Sequence, residues 1–162
     1  MPSIRLEGDT RQLLRKLQKL KNIDKKGINK AIGNSLRSST VERFSTQKAP
    51  DGKKWRNSIR ASEDGGVTLT KTARLKNSIK SYGDEAGAVV GTNTIYAGTH
   101  QFGARRTIRA ENSKGLRFKV SGGKWVTKNK VKVNIPARPF LGLSEEDQEE
   151  IRGILEDALK DK

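Results

Sequence analysis

The chain has 162 residues, a hydrophobic fraction of 32% and a formal net charge of +16, from 34 Lys and Arg against 18 Asp and Glu. That length suits one domain, 1–162, with one modest core, and the low apolar content with 16 glycines predicts segments that order only against a partner. The absence of cysteine excludes disulfides and thiolate chemistry; no run reaches the roughly 18 apolar residues of a membrane span and the N-terminus has no apolar signal core, so the expectation is a protein made in the cytoplasm with no membrane contact.

Residues 1–48 read as mostly helical. Asp9 or Thr10 can cap a helix with Leu13, Leu14, Leu17 and Leu20 on one face, and Ile23-Asp24 offers a break and a second cap. From Lys25 a second helix places Ile28, Ala31, Ile32, Leu36, Val41 and Phe44 on a broad stripe, weakened at Gly27 and Gly33 by up to about 1 kcal/mol each. It stops before Pro50-Asp51-Gly52, a turn in which Pro fixes φ, Asp bonds its own backbone and Gly accepts φ > 0.

Trp55 follows as a packing anchor, and residues 56–68, without period and carrying Gly65-Gly66, read as a loop. Residues 69–81 read as a short helix, with a turn leading into a strand as the alternative. Residues 86–91 form a short apolar strand, and another short element begins at Ile95. Residues 116–120 and 124–126 alternate around Ser121-Gly122-Gly123 as a hairpin, and Val131, Val133 and Ile135 form the apolar face of a last strand stopped by Pro136. Ser144-Glu145-Glu146-Asp147 is a capping-box sequence opening an amphipathic helix over 144–160, with Ile151, Ile154, Leu155, Ala158 and Leu159 on its stripe. The elements in chain order are helices at both ends with short strands between them, the longest of these a basic hairpin over 105–134.

Charge is segregated along the chain. Residues 144–162 hold eight acids and three bases, leaving 1–143 at +21. A field of that sign attracts polyanions, nucleic acid first among them, although solvated lysine faces account for charge alone equally well. Catalytic constellations are missing from the sequence. With His100 the single histidine, no histidine metal site forms, no GxSxG elbow or phosphate-binding glycine motif occurs, and the acids of the last helix are explained by capping and solubility. His100 reads as a hydrogen-bonded structural residue, and neither an enzyme nor a cofactor or metal is expected.

The motifs densest in Gly, Pro and aromatics are YAGTHQFG at 96–103 and IPARPFLG at 135–142. Together with RF at 43–44, PDGKKW at 50–55, LTKTARLKNSI at 69–79 and the run from Val89 through Gly103, they resemble the phage virion morphogenesis family, the tail-completion or head-tail joining proteins of tailed phages and prophages. The resemblance departs at Ala73, where family members usually carry Gly, and after Trp55, where a usual Pro-Leu is missing.

The resemblance implies an α+β fold, N-terminal helices and a C-terminal helix packed on a small antiparallel sheet with the long basic hairpin, and a non-enzymatic neck component of the virion, assembled in the host cytoplasm as a homo-oligomeric ring of six subunits. Its expected partners are the head connector or stopper, the tail terminator or tail tube, and packaged DNA in the lumen. It also implies two structural joints, one at Tyr96, His100, Gln101, Phe102 and Gly103 and one at Pro136, Arg138, Pro139 and Phe140, with Phe102 and Phe140 read as packing inside the subunit. The hairpin cations Arg105, Arg106, Arg109, Lys114, Arg117, Lys119, Lys124, Lys128, Lys130 and Lys132 are then a movable arm facing a partner or DNA. The alternative from the residues is a free, non-sequence-specific nucleic-acid-binding protein using the same hairpin.

Overall fold

The long helix expected from Lys25 is α1, Lys25–Thr46, and everything else in the structure is placed relative to it. The structure, a computed structural model, describes residues 23–120 and 122–160; the predicted helix with Leu13, Leu14, Leu17 and Leu20 lies outside them. Asp24 caps α1 by accepting the Gly27 N–H, and the helix ends at Gln47, whose left-handed φ of 58° lets its N–H reach the Arg43 carbonyl. The buried stripe differs from the expected one: Ala31 is exposed, while Gly33, Thr40 and Arg43 are buried beside Ile32 and Phe44.

Gly33 is buried because a strand crosses it. β1, Lys80–Gly83, and β2, Ala88–Gly91, form an antiparallel hairpin lying on α1. A Cβ on Gly33 would sit 3.4 Å from Ser81 Cβ and from the Tyr82 carbonyl oxygen, and one on Gly83 would come within 2.5 Å of the Asn29 and Lys30 backbone. Glycine at these two sites is what allows helix and strand to approach so closely. Asn29 Nδ2 donates to the Asp84 carbonyl at 2.6 Å and Arg37 Nε to that of Ile79 at 2.9 Å, so the hairpin is fixed at both ends.

One expectation between these elements needs correction. Residues 56–68 are not a loop throughout: α2, Ile59–Asp64, is capped by Ser58 at its start and by left-handed Gly65 at its end. Six residues are too few to show a period, and the helix is held by a neighbour remote in sequence, Thr68, whose Oγ1 accepts the Ser58 N–H at 3.2 Å. Residues 69–81 contain both readings offered for them, α3 at Arg74–Asn77 and then β1.

α4, Ala97–Phe102, is the element that begins near Ile95. The basic hairpin is a two-stage ribbon: β3, Ala104–Arg109, pairs with β6, Lys130–Ile135, and β4, Leu116–Lys119, pairs with β5, Trp125–Lys128. The expected single small sheet is therefore three separate two-stranded ladders. The arm is tethered at its far end, where the Gly122 N–H donates to Glu63 Oε1 at 3.3 Å. α5, Glu145–Lys160, packs on α1.

The core joins Phe44, Ala49, Trp55, Leu75, Ile79, Ala97 and Phe140. Trp55 is the anchor its place after the turn suggested: its ring meets Phe44 edge-on at 5.5 Å and its Nε1 donates to the Pro139 carbonyl at 2.9 Å. Ala73 occupies the left-handed region with φ 52°, a conformation costing a residue with Cβ about 1–2 kcal/mol, which explains why glycine suits this site.

Replacing Ala73 with Gly relieves that strain at some entropic cost and is expected to stabilise the protein by up to about 1 kcal/mol, raising the thermal midpoint by a few degrees. Gly83→Ala should do the reverse, costing about 1–3 kcal/mol through overpacking on α1. Calorimetry of both variants checks the pair; equal midpoints would contradict the close approach.

Candidate functional site

The two Gly- and Pro-rich motifs meet in space. Gln101 on α4 uses its whole amide against the second motif: Oε1 accepts the N–H groups of Phe140 at 3.1 Å and Leu141 at 3.0 Å, and Nε2 donates to the Leu141 carbonyl at 2.8 Å. The Arg138 N–H donates to the His100 carbonyl at 2.6 Å. Gly103 turns at φ +75° with its Cα against 135–137, where a Cβ would lie 2.9 Å from the Ile135 oxygen and the Ala137 nitrogen. Any side chain there would push the motifs apart.

Arg138 is buried, and its cation points inward, Nε to the Arg56 carbonyl at 2.7 Å and Nη2 towards that of Asn57 at 3.4 Å. Burial, then the neighbouring Arg56, lowers its pKa. Phe140 is fully buried, its ring 5.4 Å from that of Phe44. Pro136 and Pro139 are half-buried beside it.

Arg43 ties this segment to both long helices. Its Nη1 donates to the carbonyls of Phe140 at 3.0 Å and Gly142 at 2.9 Å, while Nη2 reaches Ser39 Oγ at 3.2 Å and forms a buried ion pair with Asp147. Asp147 also closes the expected capping box: the Ser144 N–H donates to Oδ2 at 2.8 Å and the Asp147 N–H to Ser144 Oγ at 3.2 Å. Burial pushes the Asp147 carboxyl up, but hydrogen bonds from Ser39 and Ser144 and the Arg43 charge outweigh it and hold the group below the usual carboxylate range.

His100 departs from its expected role. Its carbonyl is hydrogen-bonded, yet Nδ1 is buried without a partner among the described residues, and the ring packs edge-on to Tyr96 at 5.9 Å. Burial, then the Arg138 cation, lowers its pKa, so it stays neutral at neutral pH. Phe102 departs further: it is 81% exposed and does not pack inside the subunit. It sits at the C-terminal end of α4, where Gln101 and His100 take the inward-facing positions. Ile95, in the turn before α4, is exposed as well.

All ten ribbon cations, Arg105, Arg106, Arg109, Lys114, Arg117, Lys119, Lys124, Lys128, Lys130 and Lys132, are exposed. The ladder register puts Arg105, Arg109, Lys130 and Lys132 on one face, with Arg109 directly opposite Lys130. Like charges so placed repel. Arg117 lies over the exposed Trp125 ring at 5.1 Å. No group of three His, Cys, Asp or Glu suited to a metal occurs among the described residues, and none of the helices described is long and apolar enough to cross a membrane.

A model of the phage virion morphogenesis family matches residues 8–160. The chain belongs to the phage virion morphogenesis family. It is similar to Mu-like prophage FluMu G protein 2 of Haemophilus influenzae, 32% identical over 128 residues covering 79% of this chain and 73% of that protein. It is also similar to Mu-like prophage FluMu G protein 1 of the same organism, 26% identical over 163 residues covering 94% and 92% of the two chains. No solved structure matches it. Membership of the virion morphogenesis family fits a structural role in phage assembly and a place with the virion.

The depressed Asp147 value fixes a pH dependence. The unfolded chain takes up the proton first as pH falls, so the contribution is whole above the unfolded value of about 3.9 and is lost as pH drops through the lower folded value. Asp147→Asn is expected to cost about 2–4 kcal/mol at neutral pH, through the Arg43 cation left without its counter-charge, and to flatten the acid limb. Urea unfolding of both proteins between pH 3 and 7 measures it; parallel pH curves would contradict the assignment.

Proposed function

We propose that this protein completes the phage or prophage tail, or joins head to tail, as a homo-oligomeric ring of six subunits in the neck. It acts by assembly rather than catalysis. The observation that carries this reading is the division of labour in the fold: the two motifs that look most like a site are held largely by internal bonds, while the unpaired chemistry, a ribbon of ten exposed cations with Phe102 exposed at its base, faces outward. Such a surface suits a subunit whose neighbours are other virion components and whose surplus positive charge lines a channel of packaged DNA, where phosphate is met without reading sequence. The head connector or stopper lies on one side of this ring and the tail terminator or tube on the other. The family match over residues 8–160 supports the assembly role.

Electron microscopy of particles made without the protein tests the reading. Full heads beside unjoined tails are expected, and complementation with the intact gene should restore joined virions. Normal virions in its absence would overturn the neck role.

A further inference from the structure

The ribbon's cations find no counter-charge in their own subunit among the described residues. Four cations crowd one face of the β3–β6 ladder, with Arg109 opposite Lys130, and no ion pair among those described involves any ribbon residue. Phe102 at the ribbon base and Trp125 in β5 are exposed as well, while Ile108 lies with Val131 on the opposite face of the ladder. A duplex backbone would satisfy the cations but offers little to exposed aromatic side chains beside them. The surface that fits is one both acidic and apolar.

The chain carries such a surface on α5. Glu145, Glu149 and Glu156 recur at i, i+4 and i+11, one side of the helix, and all are exposed. Leu155 and Leu159, one turn apart on the adjoining strip, are exposed as well. The other side of α5 packs on α1, and within the subunit the ribbon strands pack chiefly on one another.

We propose that the cationic face of the ribbon of one subunit docks on the acidic flank of α5 of the next copy of this chain, with Phe102 meeting Leu155 and Leu159. The proposal rests on the ring reading and supplies its contact. It joins two different patches, so it is heterologous: each subunit offers one ribbon and one α5, and repetition closes a ring or extends a fibre. The internal lock keeps both patches at fixed places on each subunit, as closure requires. Apolar contact supplies adhesion and the opposed charges set register and steer encounter.

Two charge-reversed variants test this. One carries Glu145→Lys, Glu149→Lys and Glu156→Lys on α5; the other carries Arg105→Glu, Arg109→Glu and Lys130→Glu on the ribbon. All six sites are exposed, and circular dichroism with Trp55 fluorescence verifies that each variant folds. Native mass spectrometry and sedimentation at low salt are expected to show wild-type oligomers, each variant alone monomeric, and their equimolar mixture restored to oligomers with the variants alternating. Restoration is the decisive outcome, because a merely misfolded variant cannot give it. Wild-type oligomers that survive both reversals overturn this contact while leaving the ring reading intact. A wild-type chain monomeric at every concentration overturns the contact too, and the particle phenotype above then decides the neck role separately. If the ribbon variant alone loses duplex DNA binding while its oligomers persist, the ribbon belongs to DNA and the contact is wrong.

Discussion

Arg43 is the residue on which the arrangement depends. It is 7% exposed, and its guanidinium joins α1 to the backbone at 140 and 142 and to Asp147 in the first turn of α5. A buried ion pair gains little net stability once desolvation is counted. What this one provides is position, since a planar donor with fixed geometry is satisfied by only one placement of its acceptors. Removing it would leave the carbonyls of Phe140 and Gly142 and a buried carboxylate without that partner.

From that point the rest follows outward. With 140–142 held, Gln101 can mimic a strand partner for Phe140 and Leu141, which fixes α4. Fixing α4 aims the Gly103 turn and therefore the base of the ribbon. The motifs at 96–103 and 135–142 thus work as one bracket that presents an arm, not as two sites. Rigid placement of an exposed arm is what an assembling subunit needs, because a ring closes only if each contact repeats at the same angle.

Elements whose signal is local were legible. α1 and α5 follow from apolar spacing and from caps at Asp24 and Ser144, and the ribbon tip from alternation around its glycines. What was not legible depends on partners far along the chain. α2 has six residues and no period; β1 is a strand because it lies on Gly33 and pairs with 88–91, neither of which its own residues announce. Arg43 and Asp147 were missed as a pair because 104 positions separate them. A signal existed in Arg43 itself, a cation on the buried stripe beside Phe44, where only an acidic or carbonyl partner could satisfy it. Thr68 and Gln47 were missed likewise: Gln47 bonds both the N–H and carbonyl of Thr68, a bracket no pattern in either residue foretells. The inward joint at Tyr96–Gly103 was located by composition, yet composition could not say that Phe102 faces out.

The central claim is that these two motifs hold a single subunit together before any assembly. Amide hydrogen exchange at a dilution where the chain is monomeric measures it directly, read at the N–H groups of Arg138, Phe140 and Leu141. Protection comparable to the middle of α1 is the expected result, because all three donate within the subunit. Exchange as fast as in an unfolded peptide, with protection gained only on oligomerisation, would contradict it.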